Sequence, residues 1–222
     1  MTGAATPRLA VLASGRGSNL QAILDAIADG RLDARVAGVF GDRPGAHALE
    51  RARDAGIEAR ALRPRDFAGR DEFDAALFAM VAAVRPDYVV CAGYMRLIGA
   101  AAVAPWAGRI VNIHPSLLPD FKGLDTHARA LAAGAAEHGA SLHFVTADLD
   151  GGPVIAQARV PVLPGDDPVA LAGRVLEVEH PLMVAALQLL CAGRIVLREG
   201  VVEFDGQPLR APLQLASNRL RA

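Results

Sequence analysis

Leu9-Ala10-Val11-Leu12-Ala13-Ser14-Gly15-Arg16-Gly17-Ser18-Asn19-Leu20 is the stretch on which the fold turns. Leu9 to Ala13 is a short apolar run of strand length, and Leu20 to Ala28 repeats its apolar residues at helical spacing. Two glycines between them let the backbone turn tightly and approach a ligand closely. The amides that open a helix lack intrahelical partners, and with the helix dipole they attract an anion. In Gly15-x-Gly17-x-x-Leu20 a leucine stands where a dinucleotide fingerprint has its third glycine, and the Lys-Ser/Thr ending of a triphosphate loop is absent. A single phosphate therefore suits the loop better than a pyrophosphate. A plain tight turn capped by Ser18 is the alternative.

Outward from this loop the alternation continues. Val36 to Phe40 reads as a second strand, Ala46 to Ala55 as a helix ended by Gly56, and Ile57 to Leu62 as an edge strand. Phe73 to Val84 is another amphipathic helix; Tyr88 to Ala92 and Arg109 to Ile113 are apolar, β-branched runs. Strands alternating with helices of this length imply crossover connections. The expected fold is α/β: an open, mostly parallel twisted sheet with helices on both faces, Rossmann-like, with antiparallel additions in the C-terminal part. Ser141 to Thr146 and Val154 to Pro161 read as consecutive strands around the turn Asp150-Gly151-Gly152. Asp167-Pro168 opens a long helix, with Asp as N-cap and Pro at the first position, expected to reach about His180 before Pro181 kinks or restarts it. Ile195 to Arg198 and Val201 to Phe204 suggest a hairpin. One domain is expected over 1–222: a phosphate-binding half at about 8–105, a catalytic and folate half at about 106–205, and a loose tail at 206–222.

Bulk properties narrow the function. At 222 residues, 52% of them hydrophobic and 21% charged, the chain can bury a full core and is not a disordered segment. Its 23 basic and 24 acidic residues leave a formal charge of -1, whereas a protein held by nucleic-acid phosphates carries a basic excess. Small-molecule substrates are expected, with no nucleic acid, no membrane, and a monomer or homodimer. Met1 to Arg8 lacks signal-peptide character, and no apolar run reaches the ~18 residues of a membrane span. Cys91 and Cys191 lie in apolar segments and read as free thiols, so the expected compartment is cytoplasmic. Neither cysteines nor the six histidines show a ligand spacing, so no metal is expected.

Ile110-Val111-Asn112-Ile113-His114-Pro115 carries the chemistry. Residues two apart on a strand share a face, so Asn112 and His114 point the same way, and Pro115 ends the strand at its C-terminal edge. That edge borders the ligand crevice in open parallel sheets. An uncharged N–H donor beside an imidazole suits the oxyanion of a carbonyl carbon turning tetrahedral. A hydrogen-bonded core pair is the bland alternative. Asp150 is the candidate for the proton released by an attacking nucleophile, although an Asp-Gly-Gly turn needs no function. Glu179 shares a helical stripe with Ala172, Leu176 and Met183, where it pairs with an arginine, reaches solvent, or meets a ligand amine or hydroxyl. His127 and His143 are possible partners of the site; His47 and His138 read as surface residues.

Taken together, these segments resemble the phosphoribosylglycinamide formyltransferases, within the wider formyl-folate superfamily. The likeness runs from about Leu9 to Arg194. It rests on Ser14-Gly-Arg-Gly-Ser-Asn-Leu-Gln-Ala-Ile23, Gly93-Tyr-Met-Arg-Leu97, Asn112-Ile-His-Pro-Ser-Leu-Leu-Pro119, His143-Phe-Val-Thr146, Leu149-Asp-Gly-Gly-Pro-Val-Ile155 and Glu179-His180. The resemblance implies transfer of the formyl group of 10-formyltetrahydrofolate, a co-substrate, to the amine of glycinamide ribonucleotide. By the same likeness Asn112, His114 and Asp150 match the catalytic trio. Gly17, Ser18 and Asn19 match the phosphate loop, and Glu179 a ribonucleotide contact. Met95, Arg96, Leu97 and Ile98, with Arg70 and Asn112, match the folate contacts. The resemblance also implies a cis Leu118–Pro119 bond; if Asp150 lies close to His114, its charge favours the cationic imidazole. Asp120, Asp125 and the pair Met183-Val184 depart from the family pattern. The resembling deformylases carry a domain before the catalytic one; with a first strand expected at about residue 8, no such domain is expected here. The resembling transfer-RNA formyltransferases carry a further C-terminal domain, which is not expected here.

Overall fold

Leu9, Ala10, Val11 and Leu12 are each wholly buried. Successive strand residues face opposite sides, so both faces of strand β1 (Arg8–Leu12) are covered, as a parallel sheet requires. The computed structural model describes residues 5–221, in two units that divide between Val111 and Asn112.

The first unit continues with α1 (Ser18–Ala28), β2 (Arg35–Gly41), α2 (His47–Asp54), β3 (Ala59–Ala61), α3 (Arg70–Ala83), β4 (Tyr88–Cys91) and the short α4 (Ala100–Val103). β1 pairs in parallel with β2 and β4, and β2 with β3, giving the order β4-β1-β2-β3. Parallel neighbours need a crossover, and α1, α2 and α3 each occupy one. Leu20, Ile23, Leu49, Phe73 and Leu77 are among the wholly buried side chains these helices contribute.

β5 (Ile110–His114) straddles the division and leads into the second unit. There follow α5 (Thr126–Ala132), β6 (Glu137–Phe144), β7 (Val154–Pro161) and α6 (Pro168–Cys191). After them come β8 (Ile195–Arg198), β9 (Val201–Phe204), β10 (Gln207–Pro208), β11 (Leu213–Ala216) and β12 (Arg219–Arg221). The strand order is β12-β11-β7-β6-β5, with β6 antiparallel to β7, β11 parallel to β7, and β12 antiparallel to β11. β8, β9 and β10 form a separate antiparallel sheet. The parallel fold with antiparallel additions expected from sequence is thus the observed one.

Three boundaries differ from expectation. β6 starts at Glu137, because pairing with β7 overrides the poor strand propensity of Glu-His-Gly-Ala. α6 runs through Pro181 to Cys191 without restarting. The carbonyl that Pro181 leaves without its N–H partner belongs to Glu177, an exposed residue whose carbonyl water can serve. The segment expected to be a loose tail instead carries β10, β11 and β12, with Leu213 wholly buried. Asp167 caps α6 as predicted, its carboxylate accepting from the N–H groups of Val169 (2.9 Å) and Ala170 (2.7 Å). Both cysteines are free, and burial pushes the Cys91 thiol up to about 12. No helix among the described residues is long and apolar enough to cross a membrane.

Candidate active site

In the second unit, β5 carries Asn112, half-buried, and His114, 6% exposed, on one face. Beyond Pro115 the chain passes through a cis Leu118–Pro119 bond. This stretch is held by two polar residues on the neighbouring strands. Ser141 Oγ donates to the Ser116 carbonyl (2.7 Å) and accepts from the Leu118 N–H (3.0 Å). Gln157 Nε2 donates to the Leu118 carbonyl at 2.9 Å. Both side chains are buried, so each satisfies main-chain groups that water does not reach.

The turn after β6 supplies the carboxylate. Asp150 adopts φ 45, a left-handed conformation that Asp tolerates better than most residues. A Cβ on Gly152 would lie 1.8 Å from the Phe144 carbonyl oxygen, so that position admits only glycine. The turn places Asp150 Oδ2 where the Gly123 N–H donates to it at 2.8 Å, and 3.4 Å from His114 Nδ1. His143 Nε2 lies 3.6 Å from Asp150 Oδ1 and 3.1 Å from Asn112 Nδ2. Asn112, His114 and Asp150, 38 positions apart in sequence at the extremes, are thereby brought together around His143.

Two opposing effects act on the His114 imidazole. Burial lowers the His114 pKa below the ordinary imidazole value; the Asp150 charge and the Phe121 carbonyl pull toward the cation and are outweighed. Asp150 lies close enough to favour the cation, as expected from the sequence, while burial opposes it at His114. Its Nε2–H donates to the Phe121 carbonyl at 3.1 Å. For Asp150, burial acts upward but is outweighed by the groups around it, the Gly123 N–H and the charge of His114 among them, which hold the carboxyl below the usual range. Asp150 is therefore ionised at neutral pH.

The other sequence candidates lie as follows. Glu179 is a buried residue of α6 at 7% exposure. Met183 and Val184, the departure next to it, are core residues of that helix. Asp125 is the N-cap of α5 with φ 56, and the Asp120 carbonyl accepts from Ser116 Oγ at 2.6 Å. In the first unit, Gly17 (φ 73) is the N-cap of α1, and no side chain caps that end, so the alternative of a Ser18 cap is not what forms. A Cβ on Gly17 would meet Ala48 at 2.7 Å, which keeps the loop tight against α2. Ser18 and Asn19 open the helix. Met95 is 61% and Leu97 43% exposed, while Ile98 is buried. The Met95 N–H donates to Ser14 Oγ at 3.0 Å, tying this segment to the glycine loop. The Arg96 guanidinium lies over the Phe73 ring at 4.9 Å, and Arg70 begins α3.

Several contributors were invisible as functional residues. Ser141 and Gln157 were read only as strand positions, although polar residues inside apolar strands are a signal. Asp74, 1% exposed, accepts the Gly99 N–H at 2.7 Å and so anchors the end of the 95–98 segment. Its place on the apolar stripe of α3 could have revealed it. His138, expected at the surface, is wholly buried on β6, 3.2 Å from His127 Nδ1 and edge-on to Phe121. Lys122, the chain's only lysine, is exposed in the loop beside the Asp150 turn. Among the described residues no group of three or more His, Cys, Asp or Glu is placed to hold a metal ion.

The second unit thus sets an Asn-x-His strand beside an acid-bearing turn. The chain belongs to the formyl transferase family, whose profile matches residues 7–187. It is 45% identical over 201 residues to the phosphoribosylglycinamide formyltransferase of Escherichia coli (strain K12), covering 90% of this chain and 95% of that one. The trifunctional purine biosynthetic protein adenosine-3 of Homo sapiens is 40% identical over 192 residues, 86% of this chain and 19% of that protein. Among solved structures, the phosphoribosylglycinamide formyltransferase of Coxiella burnetii superposes with a TM-score of 0.88 at 43% identity, covering 91% of this chain and 95% of that one. A formyltetrahydrofolate deformylase from Pseudomonas syringae matches at 25% identity and a TM-score of 0.83, over 66% of its own length.

Proposed function

We infer that this protein transfers the formyl group of 10-formyltetrahydrofolate to the amine of N1-(5-phospho-D-ribosyl)glycinamide, a step of purine biosynthesis. The products are the N-formylglycinamide ribonucleotide and tetrahydrofolate. The observation that carries the reading is the convergence of an amide, an imidazole and a carboxylate in a member of this family. The substrate amine attacks the formyl carbon, and the carbonyl oxygen gathers negative charge. Asn112 Nδ2–H and His114 Nε2–H stabilise that oxyanion, the latter once the Phe121 carbonyl yields its hydrogen. Asp150, ionised, accepts the proton lost by the amine through water and returns it to the folate nitrogen as the C–N bond to the carrier breaks. No covalent enzyme intermediate is needed; positioning of the two substrates supplies much of the rate.

Gly17, Ser18 and Asn19 hold the phosphate at the start of α1, and Glu179 contacts the ribonucleotide. Met95, Arg96, Leu97, Ile98 and Arg70 receive the folate, as does Asn112. This assigns phosphate and folate recognition chiefly to the first unit and bond making to the second, in a cytoplasmic enzyme acting on small molecules. The test is release of tetrahydrofolate from the formylated carrier with and without glycinamide ribonucleotide. Release that requires the amine supports transfer; equal release without it makes the protein a hydrolase and overturns the reading.

A further inference from the structure

His143 belongs to none of the three groups assigned to bond making, yet it touches the amide among them. It is 2% exposed on β6, where the β6–β7 register slips by one residue between Leu142 and His143. A bulge of this kind re-aims the side chain beside it. Its two ring nitrogens have unlike partners. Nδ1 lies 2.9 Å from the Phe144 carbonyl, which can only accept, so Nδ1 carries the hydrogen. Nε2 is then the bare nitrogen, 3.1 Å from Asn112 Nδ2, which can only donate. Asp150 Oδ1, at 3.6 Å from the same Nε2, is beyond hydrogen-bond distance.

We propose that His143 is a positioning residue for formyl transfer: by accepting one N–H of the Asn112 amide, it fixes the flip of that amide and leaves the second N–H for the formyl oxygen. The proposal rests on the formyl-transfer reading above. A primary amide is nearly symmetric in shape, so packing alone does not tell its oxygen from its nitrogen. With the oxygen turned inward, Asn112 would present a lone pair where negative charge develops. A neutral imidazole with its hydrogen locked on the main chain prevents this, because only the NH2 end of the amide can meet a bare nitrogen. A protonated His143 would abolish that choice, since it would favour the amide oxygen.

The experiment compares His143→Leu, which keeps bulk but accepts nothing, with His143→Gln, whose Oε1 can reach the Nε2 position. In His143→Leu kcat falls about ten- to a hundredfold, less than the ~10²–10³ for losing an oxyanion donor outright. KM for both substrates and the melting temperature stay near wild type, and His143→Gln recovers most of kcat. In an Asn112→Ala background His143→Leu costs nothing further, because the residue acts through that amide. Nitrogen NMR of the unliganded wild-type protein at pH 7.5, assigned by the signal lost in His143→Gln, shows a neutral ring protonated on Nδ1. Additive losses in the double variant, a Gln variant as inactive as Leu, or a ring protonated on Nε2 overturns the proposal. A wild-type protein that transfers no formyl group fails the functional reading instead, and the NMR measurement then still decides the hydrogen bond.

Discussion

Asn112 and Gly152 carry opposite kinds of constraint, one chemical and one steric. Truncation of Asn112 to Ala removes a donor that strengthens only as charge develops, so kcat should fall by about 10²–10³ with substrate affinity little changed. Steady-state kinetics with both substrates checks this; near-normal turnover sinks the assignment. Gly152→Ala forces a Cβ into the Phe144 carbonyl oxygen and displaces the turn that aims Asp150. Loss of activity together with a lower melting temperature is the expected outcome. The shared face of Asn112 and His114 was legible in Asn-x-His, whereas Asp150 was placed beside them only by the family resemblance, since an Asp-Gly-Gly turn needs no function. His143 was already a candidate partner; what the sequence concealed was which group it meets, the Asn112 amide, and that the hydrogen of His114 is engaged by Phe121. Those contacts depend on register and on a bulge, which side-chain patterns do not encode.

α6 shows how an element can be readable at one end and opaque at the other. Its start follows from one carboxylate taking two N–H groups, so Asp167→Ala should lose about 1 kcal/mol of stability, seen as a lower urea midpoint with an unchanged slope. Its continuation past Pro181 was missed because a proline normally ends a helix. Here the orphaned carbonyl belongs to the exposed Glu177, and Leu182, Met183, Ala186 and Leu187 bury a continuous stripe that outweighs one lost hydrogen bond. β11 and β12 were missed for a related reason. Short, half-polar strands acquire their conformation from the edge they pair with, and β7 offers that edge. Removal of residues 209–222 uncovers it, and the expected result is a melting temperature lowered by several degrees and concentration-dependent aggregation on heating.

For the molecule as a whole, acid is the condition that exposes its weakest point. Burial holds the His138 pKa down to about 4, and His127 beside it is lowered too, chiefly by burial. A His whose folded pKa is depressed binds its proton more readily when unfolded. Stability thus rises with pH between about 4 and the unfolded value near 6.5, and is lost as pH falls through that window. For His138 alone the effect is at most about 3 kcal/mol. Melting temperatures between pH 7 and pH 5 should drop steeply in the wild type and less in His138→Gln; parallel curves would falsify this account. The layered parallel architecture was plain from the first strand and its loop, since four consecutive buried residues already demand cover on both sides. The buried histidine pair was not, because a His on a polar-looking strand start gives no hint of what packs over it.

Lys122 leaves the molecule with an unusual asymmetry among its cations: every other basic side chain that carries a permanent charge is an arginine. Reagents selective for primary amines meet only this ε-amine and the α-amino group at the start of the chain. A fluorophore attached there reports from the loop whose Gly123 N–H grips Asp150, and titrating in either substrate becomes a direct optical record of how that loop responds.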